Sequence, residues 1–110
     1  MKIHLIKKQT IEDYVKGNVQ SKLSFEDWLG KLKTTEWLIP GDITTTYPSA
    51  DLLGKGTSRV IFNIAGNNYR MICKYWFGVT KVHLYVKWIG THTEYDKLCK
   101  NNKQYSIQDQ

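Results

Sequence analysis

The chain is 110 residues long, which leaves room for one compact domain and a core burying about two thirds of the unfolded chain's surface. Hydrophobic residues make up 41% and aromatic residues 13%, with Trp28, Trp37, Trp76 and Trp88 among them, which excludes disorder of the whole chain. Sixteen basic against ten acidic side chains give a net charge of +6, favouring a polyanionic partner without choosing among nucleic acid, acidic protein and membrane surface.

The opening segment predicts a short strand over Lys2 to Ile6, with Ile3 and Leu5 in alternation. A helix follows, with Thr10 as N-cap and Ile11, Tyr14, Val15 and Val19 as its apolar stripe, weakened by Gly17. In a second helix, Phe25, Trp28, Leu29 and Leu32 repeat the i, i+3, i+4, i+7 spacing, and Ser21 or Ser24 caps its start. From Thr34 to Gly56 the punctuation by Pro40, Gly41, Pro48, Gly54 and Gly56 reads as a loop-rich connection. The period then changes from helical to alternating. Arg59 to Ala65, Tyr69 to Phe77 and Lys81 to Ile89 read as three antiparallel strands, the first two joined by a tight turn at Gly66-Asn67-Asn68. Alternation places Val82, Leu84, Val86 and Trp88 against the helices and sends His83, Tyr85 and Lys87 to the opposite face. It puts Arg70, Ile72, Lys74 and Trp76 on that opposite face as well. Gly90 to Leu98 reads as a short capped helix or turn, and residues 99–110 as a loose polar tail after a single domain over 1–98.

No apolar run reaches the roughly 20 residues needed to cross a bilayer, and Met1 to Leu5 lacks a signal-peptide core, so a cytoplasmic protein without membrane contact is expected. Cys73 and Cys99 are isolated, which favours two reduced thiols over a disulfide or zinc site. No metal site or cofactor is expected. There is no GxSxG elbow, HExxH pair or phosphate-binding loop; Gly54-Lys55-Gly56-Thr57 holds only a fragment of the last.

Charge is divided unevenly. Between Asp51 and Glu94 there is no carboxylate over 42 residues, while Lys55, Arg59, Arg70, Lys74, Lys81 and Lys87 all fall there. A solvated surface normally mixes both signs, so one sign is concentrated on one face. Long cations reach phosphates and flat rings stack on unpaired bases, so Arg59, Arg70, Lys74, Trp76, Tyr85 and Lys87 are candidate contacts to single-stranded RNA. Arg59 and Arg70 are the only two arginines among the cations; a guanidinium offers a rigid fork for phosphate, or a salt bridge to Asp96 or Glu94. A histidine is the usual proton-transfer side chain, and His92 stands near Glu94, Tyr95 and Lys97, a grouping suited to that work.

The strings Arg59-Val-Ile-Phe-Asn-Ile-Ala-Gly-Asn-Asn-Tyr-Arg70 and Gly90-Thr-His-Thr-Glu-Tyr-Asp-Lys97 resemble the two signature segments of the HigB toxins, part of the RelE-like group. Trp37, Pro40, Asp42, Ile43 and Tyr47 to Leu53 are similar to the family's middle segment, so the resemblance runs from Met1 to Leu98. It implies an α+β fold, with two N-terminal helices packed on one face of a mainly antiparallel sheet of three to four strands. It also implies the toxin of a type II toxin-antitoxin module: a metal-independent, ribosome-dependent endoribonuclease that cleaves translated mRNA. The implied partners are mRNA, the ribosome and a HigA-like helix-turn-helix antitoxin, with operator DNA bound only through the antitoxin complex. Carried over by position, Arg70 holds the scissile phosphate, His92 acts as base or acid, and Tyr95 and Lys97 assist. Asn63 and Asn67 shape the hairpin, and Glu94 and Asp96 orient His92 or Arg70 or cap a turn. The competing reading is a basic module that occupies RNA or the ribosome without cutting.

Overall fold

A computed structural model describes residues 1–54 and 56–107, so Lys55 and the last three residues, with what the sequence suggested for them, lie outside the described residues. The elements in chain order are β1 (Lys2–Ile6), α1 (Lys8–Gly17), α2 (Lys22–Thr34), α3 (Gly41–Thr46), β2 (Asp51–Leu53), β3 (Arg59–Ile64), β4 (Tyr69–Phe77), β5 (Lys81–Thr91) and α4 (His92–Lys100), with one 3-10 turn before α2 and another at Lys103–Tyr105. The five strands form one mixed sheet in the order β1-β5-β4-β3-β2. The antiparallel meander β3-β4-β5 is as expected, but β1 adds to it in parallel beside β5, and β2 extends the other edge. The expected sheet of three to four strands is therefore too small, and its edge is not antiparallel. Partner and direction of β1 depend on contacts across some 80 residues, which local alternation does not encode.

Ile3 and Leu5 of β1, Val60, Phe62 and Ile64 of β3, Tyr69, Met71 and Cys73 of β4, and Val82, Leu84 and Val86 of β5 meet α1 and α2 on one face of the sheet. Ile11 of α1 and Phe25, Trp28 and Leu32 of α2 fill the space between. Trp28, Tyr47 and Phe62 form an aromatic knot: the Trp28 and Tyr47 rings stack at 5.6 Å, and each meets Phe62 edge-on at 5.1 Å. Such pairs contribute about 0.5–1.5 kcal/mol each beyond the area they bury. The Tyr47 hydroxyl donates to the Trp28 carbonyl at 2.7 Å, and burial pushes its pKa well above the ordinary phenol range.

The segment read as a loop contains α3. Asp42 Oδ2 accepts from the Leu38 and Ile39 amides at 2.8 and 3.2 Å, which holds the carboxyl pKa below its ordinary range and caps the turn, while Ile43 and Tyr47 anchor it in the core. Pro and Gly hid a helix only six residues long. Thr10 does not cap α1, and Ser21 stands at the N-cap position of α2 as expected but makes no side-chain capping bond to the helix. The residue before α1 is Lys7 in the left-handed region, and the Ser21 hydroxyl donates to the Asn18 carbonyl. In the β3-β4 turn the left-handed positions are Ala65 and Gly66 rather than the asparagines.

The largest departure lies in β5. Ile72 pairs with Trp88 but Cys73 pairs with Val86, so Lys87 is an extra residue in a β-bulge and the alternation slips by one. Trp88, expected against the helices, stands instead on the second face, where it packs with Ile61, Ile72, Leu53, Tyr95, Leu98 and Ile107. That small second core seats α4. The tail is not loose either: α4 runs through Lys100, and residues 103–107 return to the sheet with Gln104 buried.

Gly90 is where the bulged strand passes beneath the Trp88 indole, and a Cβ there would overlap Trp88 Cζ2 and Cη2 and press on Glu94 Oε1. Gly90→Ala should lower stability by about 1–3 kcal/mol, the usual cost of overpacking. In thermal unfolding, Trp88→Leu added to Gly90→Ala should cost less than the sum of the two single changes; strict additivity would contradict this contact.

Candidate active site

Arg70 lies in mid-sheet on the second face, 9% exposed, and pairs across β4 and β5 with Gly90. Its Nη1 donates to the Asn67 carbonyl at 3.2 Å and to the Tyr69 carbonyl at 3.4 Å, and its Nη2 donates to Asn67 Oδ1 at 3.4 Å. The guanidinium carbon stands 5.9 Å from the centre of the Tyr95 ring. Neither suggested carboxylate holds it. Glu94 closes a capping box at the start of α4, accepting from the Thr91 amide at 2.7 Å while its own amide donates to Thr91 Oγ1 at 3.2 Å. Asp96 faces His92, with Oδ2 at 3.5 Å from Nε2.

His92 is the first residue of α4, its side chain half exposed, and its amide donates to the Asn68 carbonyl at 3.0 Å. The β3-β4 turn thus supplies Asn67 to Arg70 and Asn68 to His92, tying both residues to the same end of the sheet. Tyr95 lies one helical turn further on, tilted against Trp88 at 6.2 Å. Burial, then a hydrogen bond with the Cys99 side chain, pushes the pKa of the Tyr95 phenol well above its ordinary range, and Arg70 offsets this only in part. At neutral pH the phenol is therefore a proton-bearing donor. Lys97 is not part of this group. At about 100° per residue it stands some 200° round the helix from Tyr95, and it is exposed.

The candidate RNA contacts other than Arg70 and Trp76 divide. Lys74 is exposed, and Tyr85 and Lys87 are half-buried on the open part of the second face, with Lys87 Nζ 5.6 Å from the Tyr85 ring centre. Arg59 is 4% exposed; its Nη1 donates to the Ile107 carbonyl at 2.7 Å and to the Gln104 carbonyl at 3.4 Å. Its guanidinium is used inside the molecule, holding the returning tail, and is turned away from a ligand. Sequence spacing carries no sign of this, because the acceptors are backbone carbonyls 45 and 48 residues away. Asp96 was singled out only as one of two carboxylates; its place one helical turn from His92 separates it from Glu94, which the capping box occupies.

Cavities of about 220–330 Å³ on the helical side are lined from α1, α2 and the β3-β4 turn, and none includes Arg70 or His92. The site is an open surface, suited to an extended polymer. Among the described residues, no group of three or more His, Cys, Asp or Glu side chains is placed to hold a metal ion, and no helix is long and apolar enough to cross a membrane.

Because hydrogen bonds from a charged donor contribute about 1.5–3 kcal/mol, Arg59→Ala should release the 103–107 segment. Amide exchange at Ser106 and Ile107, which bond to the Lys103 carbonyl at 3.0 and 2.7 Å, should accelerate at least tenfold while β4 and β5 keep their protection. Unchanged exchange at both amides would contradict the clasp.

Two comparisons bear on identity. A relative named mRNA interferase HigB, from Escherichia coli O6:H1, is 26% identical over 98 residues, covering 89% of this chain and 93% of its own length. The family model of the HigB toxins, described as the RelE-like toxic component of a toxin-antitoxin system, matches residues 21–98, a span that holds α2, the β3-β4-β5 meander, Arg70, His92 and Tyr95. The chain therefore belongs to the HigB toxin family.

Proposed function

We propose that this chain is the toxin of a type II toxin-antitoxin module and acts as an endoribonuclease on translated mRNA in the cytoplasm. The observation that carries the reading is the meeting of Arg70, Tyr95 and the His92-Asp96 pair at one end of an acid-poor sheet face, in a member of a toxin family. The name of the E. coli relative supports the same reaction. The net charge of +6 suits both RNA and a ribosomal surface. The family description implies an antitoxin, which we take to be a HigA-like helix-turn-helix protein that carries the complex to operator DNA.

The chemistry needs no metal. The ribose 2'-hydroxyl attacks the adjacent phosphorus, the bond to the leaving 5'-oxygen breaks, and the products are a 2',3'-cyclic phosphate and a new 5'-hydroxyl. One proton leaves the 2'-oxygen, another must reach the 5'-oxygen, and negative charge grows on the phosphoryl oxygens between. Arg70 is already fixed on three sides by Asn67 and the Tyr69 carbonyl, so it meets that charge with little reorganisation. His92 transfers a proton through Nδ1, the nitrogen left free when Nε2 faces Asp96. Tyr95, kept protonated by burial, backs the guanidinium with its ring. Lys74, Tyr85 and Lys87 bind the strand outside the reacting linkage. Lys97, on the far side of α4, is left without a part in the step.

The test is induction of the protein with mapping of mRNA 5' ends on translated messages. The wild-type protein should produce new ends and arrest growth. His92→Ala should lose about 100- to 10,000-fold in cleavage rate, as for other general acid-base groups. Arg70→Ala should also abolish arrest, whereas Lys97→Ala should retain it. Arrest without new ends would favour the non-cutting module.

A further inference from the structure

At the end of the second face away from Arg70, rings from neighbouring strands form a row. The Trp76 indole stacks on His83 at 5.3 Å and 23°, and His83 stacks on Tyr85 at 6.5 Å and 24°. The His4 ring of β1 meets His83 edge-on at 6.1 Å, and the Lys87 ammonium lies over Tyr85. His83 Nδ1 is enclosed without a hydrogen-bond partner among the described residues, so this imidazole is placed by its faces rather than by its nitrogens. One end of the row is closed by Lys87. At the other, Trp76 is 63% exposed, an outlay of apolar surface that folding does not require.

We propose that this row is a nucleobase-stacking subsite, in which an unpaired base of the RNA strand extends the series on the open face of Trp76. The inference rests on the endoribonuclease reading and adds to it where the strand is held away from the reacting linkage. Charge excludes a basic or apolar peptide, and the open Trp76 ring at the end of a stacked row favours a base-bearing polyanion over an acidic peptide. Lys74 flanks Trp76 on β4, Lys81 stands two residues before His83 on β5, and Lys2 pairs with Lys81, while no carboxylate occurs between Asp51 and Glu94. Cations around an open aromatic ring are what a single strand needs, phosphates on the lysines and bases on the rings. Six strand residues separate Arg70 from Trp76, about 20 Å, so the subsite engages nucleotides several positions from the cleaved one.

The test is fluorescence anisotropy at low salt, with the full-length protein and a 12-nucleotide single strand bearing 2'-O-methyl riboses, which cannot be cleaved because the attacking hydroxyl is blocked. A second strand of the same length carries abasic residues. Trp76→Ala should weaken binding of the base-bearing strand about 5- to 150-fold, the range for one lost stacking contact, and Trp76→Phe should restore most of it. On the abasic strand, wild type and Trp76→Ala should bind within about twofold of each other. Three outcomes overturn the proposal: no effect of Trp76→Ala, an equal loss on both strands, or no binding by the wild type. Weakened antitoxin capture with unchanged RNA binding also overturns it and assigns the row to the antitoxin. Because mRNA cleavage is read separately from the mapped ends, failure of the subsite leaves the catalytic reading standing, and failure of cleavage is seen independently.

Discussion

A single extra residue in the longest strand decides how the second face of this protein is built. Without the bulge at Lys87, Trp88 would add to a core that α1 and α2 already fill, and Ile61 and Ile72 on the second face would lack the indole that packs on them. With it, the indole turns over and gathers Ile61, Ile72, Leu98 and Ile107 into a core of its own, on which α4 rests. Tyr95 is carried beneath Arg70 as a consequence, and His92 is brought to the turn that fixes Arg70. Gly90 completes the arrangement because only a residue without Cβ passes under the turned indole. The candidate site is in this sense a product of packing on the second face, and the chemistry-bearing residues ride on it.

The face also explains why a buried arginine is tolerated. Arg59 lies in β3 with its guanidinium withdrawn from water, which pulls its pKa below the ordinary value without removing the charge. Its partners are two carbonyls at a chain reversal, groups that a helix end and a turn leave without amide donors. The same residue type four strand pairs away does the opposite work. Arg70 also donates to carbonyls, but it keeps 9% of its surface exposed and its guanidinium lies over the Tyr95 ring. The two arginines are alike in sequence terms and differ only in what the chain lays over them.

Much of this was legible along the chain. The alternation in β3 and β4 sorted Val60, Phe62, Met71 and Cys73 from Ile61, Arg70 and Ile72 correctly, because both strands run without interruption. The helical spacing of Phe25, Trp28 and Leu32 found the core face of α2. The capping residues of α4 are adjacent in sequence, and Thr91 and Glu94 were recognisable as a turn signal. What escaped depends on distance or on small numbers. The bulge is one residue, β2 is three, and the partner of β1 lies some 80 residues away. Arg59 and Lys97 were placed at the site by residue type; burial removes the first and helical phase the second.

The strands give the second face its basic character. Lys2, Lys74, Lys81, Lys87 and Arg70 belong to them, whereas α1 and α2 mix Glu12, Asp13, Glu26 and Asp27 with Lys8, Lys16, Lys22, Lys31 and Lys33. A sheet covered on both faces would hide such a pattern; here α4 covers only one end, and Trp76, His83 and Tyr85 stand in the uncovered remainder. An exposed row of rings among lysines, on the same face as a guanidinium about 20 Å away, is not an enclosing pocket and so is poorly suited to select a small molecule by shape. Its selectivity comes from length, since a ligand must be long enough to reach both ends at once. A polymer with a charge and a flat base at every step meets that requirement, and a mononucleotide does not.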